Sequence, residues 1–138
     1  MCMRRLVNVA AGMRDVRRHR KIPARGIIGG AAMFGAISRC EVKADSGDRF
    51  DELVGDLVRI AHKRPDGIVA YSCHPVSGKA LSRVFIELYR DHVAFVEFGQ
   101  RPDIRALVEA REALLVEPAN VDLLESPIGG SVLFFGPR

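Results

Sequence analysis

One amphipathic segment, residues 48–63, constrains this chain more than any other. Phe50, Leu53, Val54, Leu57, Ile60 and Ala61 recur at i, i+3, i+4 and i+7, an unbroken apolar stripe on a helix. Asp48 is the expected N-cap, His62, Lys63 and Arg64 suit the negative end of the dipole, and Pro65 with Gly67 stops the helix. A one-sided helix has to bury its stripe against another layer. Strand patterns on either side supply one. Residues 37–43 alternate, with Ser38, Cys40 and Val42 on one face and Ile37, Arg39, Glu41 and Lys43 on the other. Residues 68–75 are rich in β-formers, and Ser77-Gly78 marks a turn. Residues 83–89 then set Phe85, Glu87 and Tyr89 on one face and Val84, Ile86 and Leu88 on the other.

Downstream, residues 93–98 read as a short helix. Pro102, at an N1 position, opens a third helix to about residue 115, with Ile104, Leu107 and Val108 inward. Pro118 ends that segment, and residues 121–124 form a last strand. The order β-α-β-β-α-α-β predicts an α+β, ferredoxin-like split β-α-β fold: a four-stranded antiparallel sheet with helices on one face. The open face calls for a second copy, so the expected assembly is a homodimer, a dimeric α/β barrel. Residues 127–138 end in Val132-Leu-Phe-Phe135, too apolar to dangle, and are expected to pack on the partner subunit.

A length of 138 residues suits one domain, here residues 33–126. The three cysteines (Cys2, Cys40, Cys73) form no CxxC pair, which points to a reducing, cytoplasmic compartment. The longest apolar stretch, residues 26–38, is too short and glycine-rich to span a bilayer, so no membrane partner is expected. The net charge of +4 divides unevenly: residues 1–32 carry +7 and the remainder −3. The mildly acidic body therefore argues against a nucleic-acid function. The basic arm has three readings: a polyanion binder, an export signal around Arg17-Arg18, or a disordered extension upstream of a start at Met33. The disordered extension is the reading adopted.

Two segments carry a family resemblance. Ser82-Arg-Val-Phe-Ile-Glu-Leu-Tyr-Arg-Asp91 is a strand with an aromatic-Glu-x-aromatic run and an acidic turn. Pro65-Asp-Gly-Ile-Val-Ala-Tyr71 is a helix-stopping glycine before a strand tyrosine. Both resemble the antibiotic biosynthesis monooxygenase domain of the dimeric α/β-barrel superfamily, across about residues 33–126. The resemblance implies a ligand cleft between sheet and helices, and a small aromatic substrate oxidised by molecular oxygen. Characterised members act on quinols or polyketide anthrones without metal or flavin, so no cofactor is expected. Where members often carry histidines, this chain has Phe98 and Asp103. The haem-degrading branch uses a strand Asn, a strand Trp and a helix His. Here Ser38 and Tyr89 stand at the first two positions, with no histidine after His92 and no tryptophan.

Cofactor-free oxygenation needs substrate deprotonation, a hydrogen-bonding group and a dry pocket. Tyr89 holds the aromatic position that lines the cleft in relatives, and would orient the substrate; a structural tyrosine is the competing reading. Glu87, on the same face, becomes a base if desolvated, or an ion-pair partner if not. His74 is a base without tuning, or an exposed strand histidine. Ser38, Phe85, Phe98 and Arg111 are the candidate substrate-binding residues, although an arginine at a helix edge commonly snorkels. Tyr71 reads as core, and His92 as a capping or solvent-exposed residue. Residues 75–80 echo a phosphate loop but lack its upstream glycine and its hydroxyl after Lys79, and no His/Cys set has metal-ligand spacing. The expected function is a cofactor-independent monooxygenase. The alternative is a non-catalytic module that binds a small metabolite or a partner.

Overall fold

The computed structural model describes residues 33–63 and 67–130. The basic arm, Cys2, the helix-stopping Pro65 and the apolar Val132–Phe135 run lie outside the described residues. The elements are β1 (Phe34–Glu41), α1 (Gly47–Lys63), β2 (Ile68–Val76), β3 (Lys79–Tyr89), α2 (His92–Gln100), α3 (Pro102–Glu112) and β4 (Asn120–Leu124). They form one antiparallel sheet in the order β2-β3-β1-β4, the α+β ferredoxin-like arrangement expected from the element order.

Register fixes the two faces. Ser38 lies opposite Phe85, Ala36 opposite Glu87 and Phe34 opposite Tyr89. On the other flank of β3, Tyr71 pairs with Glu87 and Cys73 with Phe85. Side chains alternate along strands, so all of these share the helix-covered face. α1 lays Phe50, Leu53, Leu57 and Ala61 on that face, with Val54 and Ile60 partly buried beside them. One core cluster joins Leu57 and Ala61 to Tyr89, Ala94, Phe98 and Ile104, and a second joins Phe50 to Cys40, Val42, Phe85 and Leu115.

The boundaries differ from expectation in three places. β1 begins at Phe34 rather than residue 37, because the Phe34 ring packs against His92 and Phe95. α1 begins at Gly47, with the Phe50 N–H donating to the Ser46 carbonyl, so Asp48 sits in the first turn and complements the dipole there instead of capping. α3 ends at Glu112, and Leu115 leaves the helix to bridge Val42. The β2–β3 hairpin turns at Ser77-Gly78, where Gly78 takes φ +75, a conformation natural to glycine. No helix among the described residues is long and apolar enough to cross a membrane.

Candidate functional site

β3 builds the floor of the site. Alternation sends Arg83, Phe85, Glu87 and Tyr89 toward the helices; Phe85 and Tyr89 are each 1% exposed, and Glu87 is half-buried. β1 adds buried Ser38 and Ala36, and β2 adds Tyr71 and Cys73. The helices close over this floor with aromatic and cationic groups. Phe98 of α2 stands edge-on to Tyr71 at 5.6 Å and tilted to Tyr89 at 6.0 Å, and Phe95 meets Tyr89 edge-on at 5.3 Å. From α3, the Arg111 guanidinium carbon lies 4.2 Å from the centre of the Phe85 ring, within cation–π range.

Arg111 does not snorkel. It is 8% exposed, and its Nη1 is buried with no hydrogen-bond partner among the described residues. Such a group is costly unless something answers it. Glu87 supplies the facing charge, yet no ion pair joins the two among the described residues. Burial pushes the Glu87 carboxyl above the ordinary glutamate range, against the opposing pull of Arg111 and of the Tyr71 hydroxyl, which donates to it. Tyr89 and Tyr71 are both raised, by burial first and by the Glu87 charge second, so both remain neutral hydroxyls. Burial likewise pushes the Cys73 thiol up to about 12. Around Glu87, the described residues therefore offer two neutral phenols, Tyr71 and Tyr89, and the Arg111 cation.

The sequence-derived candidates divide between two places. Tyr89, Glu87, Ser38, Phe85, Phe98 and Arg111 all face the layer between sheet and helices. His74 does not. It pairs with Val84 on the opposite face, exposed, with its Nε2 2.9 Å from the Ser72 hydroxyl. From sequence, His74 is an alternative to Glu87 as proton acceptor, and within one subunit the sheet separates it from Tyr89 and Glu87. Tyr71, read from sequence as core alone, joins Glu87 instead. His92 is also corrected, being half-buried, edge-on to Phe34 at 4.9 Å, with a buried Nε2 that has no partner among the described residues. Capping at that helix end falls to Asp91, whose carboxylate accepts from the Ala94 N–H.

Two surface cavities, of about 390 and about 440 Å³, lie elsewhere. The first is walled by Arg39, Glu41, Lys79, Ser82 and Glu117 among others, the second by Asp45, Asp48, Asp51 and Arg83. Neither includes Glu87, Tyr89 or Arg111. Among the described residues, no three His, Cys, Asp or Glu side chains converge as a metal site.

No protein-family model matches this sequence, and no curated protein does. Solved structures match the fold. A Caulobacter crescentus protein provisionally named an antibiotic biosynthesis monooxygenase aligns at TM-score 0.66 and 16% identity, over 73% of this chain and 95% of its own. A Nitrosomonas europaea protein with the same provisional name gives 0.66 and 13%, over 77% and 100%. A further structure named antibiotic biosynthesis monooxygenase gives 0.63 and 21%, over 69% and 99%. The chain thus has the fold of antibiotic biosynthesis monooxygenase domains.

Proposed function

Starting from that shared fold, we propose that the protein is a cofactor-independent monooxygenase that oxidises an aromatic quinol or polyketide-like substrate with molecular oxygen. Residues 33–126 form the working unit, which acts as a cytoplasmic homodimer paired through the open sheet face. The observation that carries the reading is the convergence of Glu87, Tyr71, Tyr89 and Arg111 in one water-poor layer roofed by Phe95 and Phe98.

The chemistry follows from those groups. Glu87, held as a poor anion by burial, gains by accepting a proton from a phenolic O–H. The resulting substrate anion is electron-rich enough to reduce oxygen, with one oxygen atom entering the product and the other leaving as water. Tyr89, a neutral hydroxyl, donates to the substrate oxygen and fixes the ring's orientation. Phe85, Phe98 and Ser38 shape the layer in which a planar ring lies. His74, across the sheet, has no part in it.

Of the alternative, a non-catalytic module of the same fold that binds a small metabolite or a partner, the partner-binding form is favoured by a different observation. The Tyr71, Phe98, Tyr89 and Phe95 rings already fill the layer by packing on one another, and neither surface cavity opens on it. Oxygen uptake by the full chain with a panel of hydroquinones and anthrones decides between the two. The enzyme reading expects uptake above a heat-inactivated control, with quinone appearing, and at least a tenfold loss in Tyr89→Phe. Uptake unchanged in that variant removes Tyr89 from the mechanism. Binding without uptake supports the module.

A further inference from the structure

We propose that the cavity between the β2–β3 hairpin and the α3–β4 connection binds a zwitterion of the α-amino-acid type with an aliphatic side chain. Its volume of about 390 Å³ is large enough for such a molecule. The site is independent of the proposed oxygenation. Arg39, Glu41, Ser82 and Val84 line it from the sheet face opposite the helices, and Glu87, Tyr89 and Arg111 are not among its walls.

The charges on its walls carry the inference. Five charged residues line the cavity, and the chain answers three of them itself. Arg39 pairs with Asp122 at 2.9 Å, and the Glu41 carboxylate accepts from the Ser82 hydroxyl at 2.6 Å. Arg83 is tied to Asp51 and to the Ala80 and Ser82 carbonyls. Lys79 and Glu117 remain. Neither side chain makes a hydrogen bond or an ion pair with another described residue. Backbone contacts place both. Lys79 follows the Ser77-Gly78 turn and pairs in register with Val76. Glu117 follows Val116, whose N–H donates to the Glu41 carbonyl at 2.9 Å, beside the Val42–Leu115 bridge. A cation and an anion, both unanswered among the described residues, thus line one cavity from different elements.

Those groups name the ligand class. A ligand ammonium answers Glu117, a ligand carboxylate answers Lys79, and the complex gains no net charge. An aliphatic side chain loses its contact with water against Val76, Val84 and Pro118. A simple carboxylate leaves Glu117 unanswered and brings a like charge beside it, and a simple amine does the same at Lys79. Phosphate, the ligand that residues 75–80 echo in sequence, meets two glutamates here. Those residues form a hairpin rather than a loop leading into a helix, so no helix N-terminus faces the cavity from them.

The test is calorimetric titration of the full-length protein, at neutral pH and low salt, with three ligands. They are L-leucine, 4-methylpentanoate, which lacks the ammonium, and 3-methylbutylamine, which lacks the carboxylate. Leucine is expected to bind saturably, and each analogue about tenfold more weakly for the loss of one charged contact. Lys79→Gln should weaken leucine about tenfold without weakening the amine, and Glu117→Gln should weaken leucine to the same extent without weakening 4-methylpentanoate. Both residues are exposed, so neither substitution removes a packed side chain, and circular dichroism confirms the fold. Lys63→Gln makes the same charge change at the end of α1 and should leave leucine binding as it is. Four results overturn the proposal. They are no saturable leucine binding at millimolar concentration, as when a second copy's side chains fill the cavity; either analogue binding as tightly as leucine; leucine binding unchanged in Lys79→Gln or in Glu117→Gln; or an equal loss in Lys63→Gln. Oxygen uptake with hydroquinones probes the other face of the sheet, so the failure of one reading leaves the other standing.

Discussion

Asp51 on α1 and Arg83 on β3 are joined by a two-pronged ion pair, Nε to Oδ1 at 3.0 Å and Nη2 to Oδ2 at 3.1 Å. Arg83 is 8% exposed and also donates to the Ala80 and Ser82 carbonyls, whereas the Asp51 side chain is half exposed. The two residues therefore contribute unequally. Asp51→Ala strands a buried guanidinium and should lower stability by about 1–3 kcal/mol. Asp51→Asn, which keeps one acceptor, should cost less. Urea denaturation midpoints at constant m measure both, and equal losses would show that the charge pair contributes nothing beyond the hydrogen bond.

Gly67 takes φ +80, and a Cβ there would lie 2.5 Å from the Cβ of Ala94, a buried residue of α2. Strain and collision act together, so Gly67→Ala should destabilise by about 2 kcal/mol or more. The collision pushes on the helix that carries Phe95 and Phe98 against Tyr89. Near-ultraviolet circular dichroism should therefore weaken in the folded variant. Exposed Gly99, with no atom within 4 Å of its Cβ position, serves as the control, and Gly99→Ala should leave the aromatic signal unchanged.

The α1 stripe and the alternation of β3 were legible because each is local: a period of 3.6 or of 2 names its own face. Phe85, Glu87 and Tyr89 share a face for that reason alone. What lay out of reach was register between distant strands. That Tyr71 rather than His74 meets Glu87 depends on how β2 slides along β3, and the pairing shifts by one residue between Ile68 and Ala70. Arg111 over Phe85 depends on where α3 lands on the sheet, which no period in either segment encodes. The start of α1 failed for a smaller reason. Ser46 and Asp48 are both good helix-start residues, and the backbone bond from Phe50 to Ser46 selects the earlier start.

Glu87 sets a pH dependence of known sign. Its folded-state value is raised, mainly by burial, above the ordinary 4.5. Between those two values the folded protein holds a proton that the unfolded chain has released, so stability falls as pH rises through that window. Above the folded value the penalty is complete and the curve levels. Each unit of elevation corresponds to about 1.4 kcal/mol. Glu87→Gln should abolish the decline that begins near pH 4.5, read from urea midpoints collected every half unit. A decline of the same slope in the variant would assign it to other groups.

The face of the sheet opposite the helices carries Ile37, Val84, Ile86, Leu88 and Leu124, all partly exposed in the single subunit. Ile37 and Ile86 lie directly opposite one another in the register, at the middle of β1 and β3. If a second copy covers this face, as the proposed homodimer requires, a charge at its centre is buried twice by symmetry and left unpaired. Ile86→Asp should therefore convert a dimer into a monomer of 15.2 kDa in sedimentation equilibrium. Glu41→Gln, on the same face but hydrogen-bonded at its edge to Ser82, should leave the assembly intact. A wild-type chain that sediments at 15.2 kDa across the micromolar range would remove the dimer from the proposed function. The helix-side layer with Glu87, Tyr89 and Arg111 would still stand, because every group in it comes from one chain.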